Sequence, residues 1–185
     1  MKRKRNLIED SAYPLFITTT IIRWLPVFSD TEIAVESLRL FESLRVEMNM
    51  TVFAYCLMPS HIHAIMKSAR MRDISIFMRR WKSLSAKIII DRSTPFHPEW
   101  IMQFEENARH YKVRKDQNHQ VWMPRFDDFA IRDDKQFEVK VNYIHGNPLR
   151  DGLVENWEDY PYSSIKDYLE GKNGFITIDC GQGKP

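Results

Sequence analysis

Cysteine is nearly absent from this chain: its 185 residues hold two, Cys56 and Cys180, 124 positions apart. That separation excludes a close-spaced thiolate metal motif and offers no disulfide framework, so a reducing, cytoplasmic setting is expected. No run of 18 apolar residues occurs, and no membrane helix is expected. The opening "MKRKRNLIEDSAYPLF" is charged but lacks the apolar stretch of about 7–15 residues that a signal peptide needs. Its "MKRKR" reads either as a solvated tail or as an arm that neutralises phosphates. Also missing are C-x-x-C, H-E-x-x-H and the phosphate-cradling G-x-x-x-x-G-K-[ST]. There are no internal repeats and no low-complexity tract.

What remains is the composition of a folded domain. Hydrophobic residues make up 43% and charged residues 28%, which is too apolar for disorder. The length suits one domain over 13–170, with a basic tail at 1–12 and a second tail at 171–185. The net charge of +2 conceals a segregation of sign. Residues 67–92 carry eight basic side chains (Lys67, Arg70, Arg72, Arg79, Arg80, Lys82, Lys87, Arg92) against Asp73 and Asp91. In 151–170 six acids face a lone Lys166. A basic segment on one element fits a polyanion partner; a solvated helix face has the same composition.

Hydrophobic periodicity sets the order of elements. "YPLFITTTII" (13–22) and "MTVFAYCLM" (50–58) read as strands, and a third begins near His61 after a turn at Pro59-Ser60. From Asp30, an N-cap, Ile33, Leu38, Phe41, Leu44 and Val46 recur at roughly helical spacing, and this helix ends near Asn49. Over 71–91, Ile74, Phe77, Met78, Trp81, Leu84 and Ile88 form the apolar stripe of a helix whose outer side is cationic. The polar stretch 92–118 reads as a long loop, and "HQVWMPRFDDFAIRD" as one or two short strands. "DKQFEVKVNYIHGNP" is a helix expected to stop before Pro148, with Gly146 helping to end it. Strand, helix, strand, strand, helix, strand, helix is an α+β order. It predicts a ferredoxin-like antiparallel sheet backed by helices.

Chemistry concentrates in two places. In "YCLMPSHIHAIM", His61 and His63 are two apart on a strand, so both point to one face while Ile62 points to the other. Such a pair can share a divalent ion with an oxygen ligand and open positions for a phosphate oxygen; it can also be two locally hydrogen-bonded histidines. The second place is "VNYIHGNPLRDGLV". There Phe137, Val141 and Ile144 form the buried stripe, while Lys140, Tyr143 and Asn147 lie together on a flank at i, i+3 and i+7. Tyr143 is not obliged to be core, and the Asn147 side-chain oxygen is a candidate third metal ligand beside it.

"MPSHIHAIM" resembles the HUH motif (His, hydrophobic, His) of single-tyrosine transposases. "VWMPRFDDFAIRD" followed by "VNYIHGNPLRDGLVENWEDYPYSSIKDYL" resembles the C-terminal half of the REP-associated tyrosine transposases, members of the IS200-like superfamily. The similarity covers about residues 13–170. It implies that His61, His63 and Asn147 hold Mg²⁺ or Mn²⁺, that Tyr143 is the nucleophile, and that Lys140 assists activation or contacts phosphate. It further implies cleavage and rejoining of hairpin-containing single-stranded DNA through a 5′-phosphotyrosine, by a monomer or homodimer and without a nucleotide cofactor. Ser60 departs from the common Asn before the first histidine. DNA contacts fall to Arg72, Arg79, Arg80, Lys82 and Lys87 on the basic helix, with Trp122, Phe126 or Tyr111 as base-stacking aromatics. A hairpin-binding protein of the same fold without transposition activity is the alternative. An RRM-like module fits less well, because "SHIHAIM" stands where stacking aromatics are needed. A structural metal domain leaves the segregated charge unexplained.

Overall fold

The computed structural model describes residues 13–111, 117–171 and 174–179. The basic tail 1–12 and Cys180 lie outside these residues, as do parts of the 92–118 and 171–185 segments.

Four strands form one sheet in the order β2-β3-β1-β4: β1 (Leu15–Thr20), β2 (Thr51–Met58), β3 (His61–Lys67) and β4 (Asp127–Ala130). Every pairing is antiparallel, with Thr18 opposite His63 and Cys56 opposite His63 on the other side. The expected ferredoxin-like sheet is therefore present. Its two faces carry separate cores. Ile17, Leu57, Ile62, Ala64 and Met66 belong to the larger cluster, and Ala54, Cys56, Met58 and Ile65 to the smaller one. The strict alternation along β3 assigns these residues to opposite faces.

Two helices cover the first face. In α1 (Thr31–Glu47) the Asp30 carboxylate accepts from the backbone N–H of Glu32 and Ile33, 2.9 and 3.0 Å away, as an N-cap does. Asn49, at φ 49, takes the left-handed position just past the helix end. Ile33, Leu38, Phe41 and Leu44 are buried, but Val46 is 63% exposed. Two positions after Leu44 is a rotation of about 200°, so Val46 faces water. α2 (Met71–Ser93) buries Ile74, Phe77, Met78 and Trp81, each contributing about 1.5–3 kcal/mol of apolar transfer. The stripe then continues through Ser85 and Ile89, not through Leu84 and Ile88. Ser85 is admitted because its hydroxyl accepts from Trp122 Nε1 at 3.2 Å and donates to the Lys82 carbonyl.

The stretch expected to be a loop contains α3 (Pro98–His110). Pro98 at the first turn and Arg109 and His110 in the last suit the helix ends, and Phe104 and Ala108 bury one side. On the opposite sheet face lies α4 (Asp134–Arg150), which packs Phe137, Val141 and Ile144 against Ala54, Met58 and Ile65. α4 does not stop before Pro148. Proline leaves the Ile144 carbonyl without its usual donor, and the Asn147 side-chain Nδ2 turns back to it at 3.5 Å and to the Tyr143 carbonyl at 2.8 Å. A short α5 (Ile165–Glu170) follows. The segment before it closes the outer edge of β2, where Leu57 N–H donates to the Tyr162 carbonyl and Tyr55 N–H to Ser164 Oγ. No described helix is long and apolar enough to cross a membrane.

Candidate active site

β3 is an inner strand, held by β1 and β2 on either side, so side chains on it are rigidly placed. His61 and His63 emerge on the α4 face with ring centres 4.7 Å apart. Each has its Nδ1 engaged by a hydroxyl: His63 with Thr18 Oγ1 at 2.8 Å, His61 with Ser60 Oγ at 3.1 Å. A neutral ring that donates Nδ1–H to such a hydroxyl presents its lone pair on Nε2. Ser60, the departure from the common motif, is thus a partner of the first histidine. Burial pushes the His63 imidazole down to about 3, and the positive charges of Arg150 and Lys140 act in the same direction. Burial lowers His61 as well, opposed by the Asp151 carboxylate. Both rings are neutral at pH 7, the form that binds a metal.

α4 brings the tyrosine to them. The Tyr143 ring lies edge-on to His63 with centres 5.3 Å apart, and Phe16 of β1 closes the group by stacking on His63 at 5.5 Å. Tyr143 is 40% exposed, so its place beside a buried histidine does not take it out of water. Two cations flank the ring: the Arg150 guanidinium 4.5 Å from its centre and the Lys140 ammonium 5.6 Å away. Lys140 also lies 4.4 Å from the Phe16 ring centre. A hydroxyl-bearing ring near two cations and next to paired neutral imidazoles has the chemistry to receive a phosphodiester and attack it.

Asn147 is buried, and its amide is fully engaged. Nδ2 serves the helix carbonyls, and Oδ1 accepts from Arg150 Nη2 at 2.8 Å. The same Arg150 nitrogen donates to the Tyr143 carbonyl at 3.0 Å. The donor set therefore fits a divalent ion directly in two of its three members, the histidine Nε2 atoms; the asparagine oxygen is presented with an arginine on it. No group of three or more His, Cys, Asp or Glu side chains is gathered for a metal among the described residues. Arg150 was not among the expected site residues. It lies seven after Tyr143 and three after Asn147, the same helical spacing that groups Lys140 with them.

The expected DNA-contact residues are divided. α2 lies on the sheet face opposite the histidines. On it Arg72, Arg79 and Lys87 are exposed, and Arg79 and Lys87 line a groove of about 650 Å³ with Arg125 and Gln117. Arg80 is held by Glu47 at 2.5 Å. Lys82 turns inward, donating to the Met123 carbonyl at 2.7 Å and to the Arg125 carbonyl, and so serves as a brace for the 123–125 turn. Trp122 is 3% exposed among Phe28, Trp81 and Lys82 and offers no ring to a base. Phe126 is half-buried and Tyr111 exposed.

Residues 16–103 match the family model "Transposase IS200 like". A REP-associated tyrosine transposase of Escherichia coli K12 is 30% identical over 127 residues, 63% of this chain and 68% of that protein. A Haemophilus influenzae protein bearing the same family name is 31% identical over 112 residues, 60% of this chain but 57% of the relative's length. In three dimensions the whole chain superposes on 97% of a REP-associated tyrosine transposase solved bound to a REP hairpin, with a TM-score of 0.63 at 19% identity, a likeness of fold. With the fold shared, the identity and extent of the match to the Escherichia coli protein make this chain a member of the REP-associated tyrosine transposase family.

Proposed function

We propose that the protein cleaves and rejoins hairpin-containing single-stranded DNA by transesterification at Tyr143. The observation that carries this reading is the packing of the half-exposed Tyr143 ring against His63, with the Arg150 and Lys140 cations both within 6 Å of its centre. The Tyr143 oxygen attacks the scissile phosphorus as its proton is lost. The bond from phosphorus to the 3′ oxygen breaks and that oxygen takes up a proton in place of the one Tyr143 released, leaving a 5′-phosphotyrosine and a free 3′-hydroxyl. Attack by a 3′-hydroxyl on the phosphotyrosine reverses these changes, so one phosphodiester is exchanged for another and no nucleotide is consumed. Arg150 and Lys140 bind the non-bridging oxygens and stabilise the phenolate as it forms. His61 and His63, with Asn147 once Arg150 has moved to phosphate, are the residues that would hold Mg²⁺ or Mn²⁺. When bound, that ion supplies Lewis-acid polarisation of the scissile phosphate. Thr18 and Ser60 keep the two imidazoles oriented for it.

The test uses end-labelled hairpin DNA with single-stranded flanks, incubated with the protein and Mg²⁺ or Mn²⁺ and run on a denaturing gel. A covalent adduct is expected with the wild type. None is expected with Tyr143→Phe, whose fold and DNA affinity remain, since the change removes one oxygen from a half-exposed ring. An adduct that persists in Tyr143→Phe on another residue overturns the assignment. Tight binding with no adduct under any condition favours the alternative, a hairpin-binding protein without strand transfer.

A further inference from the structure

The turn that follows β1 holds a tryptophan in an unusual state. Arg23 and Trp24 are consecutive residues with positive φ, 52 and 57, a left-handed backbone that side-chain-bearing residues rarely adopt and almost never in pairs. The turn is fixed on both sides. Ile21 N–H donates to the Ser60 carbonyl and Ile22 N–H to the Val121 carbonyl, while the Trp24 and Leu25 amides close back onto Ile21 and Ile22. Ile21 and Ile22 are buried, and the Arg23 guanidinium pairs with Glu106 of α3 at 2.9 Å. The product of this over-determination is a Trp24 side chain 58% exposed, with its ring centre 5.3 Å from that of His61. Packing alone gives no reason to hold the largest apolar side chain in water on a disfavoured backbone. A flat aromatic face beside a site that handles a phosphodiester has one.

We propose that Trp24 is a stacking platform for a nucleobase next to the scissile phosphate, and so sets where the strand lies over His61 and Tyr143. The proposal rests on the DNA reading above and adds a base-binding position to it. Stacking on an aromatic face is tolerant of base identity and contributes about a tenfold factor in affinity, so Trp24 governs register more than sequence choice. Its ring meets His61 edge-on, at an interplanar angle of 73°, on the side of that histidine where the β1 turn rises.

The test measures binding in the Tyr143→Phe background, where DNA stays intact, by fluorescence anisotropy. The probes are hairpins with single-stranded flanks, each lacking the base at one flank position. With Trp24 present, loss of one particular base is expected to weaken binding about tenfold. In Trp24→Leu, which keeps an apolar shield over His61 but has no aromatic face, binding to intact DNA falls by a similar factor and removal of that same base costs nothing more. Trp24→Phe retains most of the effect. The position found is expected to adjoin the bond that the wild-type protein cuts. Losses that multiply at every position, or intact-DNA affinity unchanged in Trp24→Leu, overturn the proposal, and equal abasic penalties in both proteins reduce Trp24 to a cover for His61. Because the measurement needs no covalent step, absence of an adduct in the wild type sinks the strand-transfer reading and leaves this result standing. A protein that binds none of the hairpins overturns both.

Discussion

Lys82 separates what a charge pattern suggests from what a fold does with it. Lys82→Met keeps the length of the stem and removes the ammonium that braces the Met123 and Arg125 carbonyls. Hydrogen bonds from a charged donor contribute about 1.5–3 kcal/mol each. Against this, burial pushes the Lys82 ammonium from 10.5 down to about 8, a penalty on the charged form of about 3 kcal/mol that methionine does not incur. The difference leaves Lys82→Met destabilised by about 1–2 kcal/mol at pH 7 in urea unfolding. The loss also frees Arg125, which the brace holds at φ 66. The effect has a pH signature. Between pH 8 and 10.5 the unfolded chain keeps a proton on Lys82 that the folded chain has released, so wild-type stability rises with pH across that window relative to the variant. The neutral amine still has two N–H groups for its two carbonyls, and the gap between the proteins is expected to widen by up to about 2 kcal/mol from pH 7 to 9.5. Unchanged stability together with a steep loss of DNA affinity would show that the ammonium reaches outward to phosphate, and the bracing argument would be wrong.

Asn147→Ala is expected to lower stability by about 1–2 kcal/mol, because the Ile144 carbonyl that Pro148 cannot serve loses its side-chain donor; an unchanged urea midpoint would mean that another donor takes over. On the far face of the sheet, replacing Arg79 and Lys87 with alanine is expected to reduce the slope of log affinity for hairpin DNA against log salt by about two, one for each phosphate contact. Arg80→Ala, whose guanidinium is already paired with Glu47, is expected to move that slope less; a larger effect from Arg80 would reverse the assignment of free and paired charges on α2.

Most of the framework was legible because it follows from local rules. The Asp30 cap, the first part of the α1 and α2 stripes and the two-residue parity of His61, Ile62 and His63 are set by neighbours in sequence and reappear in the fold, whereas Val46, Leu84 and Ile88 fall off the buried stripes. What was missed depends on distant partners or on ends. α3 was hidden by its polar content, although Pro98, Glu99, Arg109 and His110 are the start and stop signals of a helix. α4 ran through Gly146 and Pro148 because Asn147, considered only as a ligand, repairs the break. Arg150 lies three residues after Asn147, within the same helical-wheel grouping, but beyond the Pro148 at which the helix was expected to end. The inward turn of Lys82 and the paired left-handed residues at 23–24 leave no periodic trace, since both are imposed by chain segments up to about a hundred positions away.

The sheet also divides the labour. His61 and His63 share one inner strand with Ile62, Ala64 and Met66, yet the first pair meets α4 and the other three meet α1 and α2. Tyr143, Lys140 and Arg150 all come from α4, so the groups proposed to handle the phosphate are gathered by two elements on one face. The free cations of α2 stand on the other. Strand β3 is packed on both sides, Ile62, Ala64 and Met66 into one cluster and Ile65 into the other. On the proposed function, substitutions at Arg79 or Lys87 are expected to change how tightly DNA is held, and those at Tyr143 or His63 to change adduct formation. A change on α2 that slowed adduct formation at saturating DNA would show that strain passes from one face to the other through Ile62 or Ala64, and this division would be wrong.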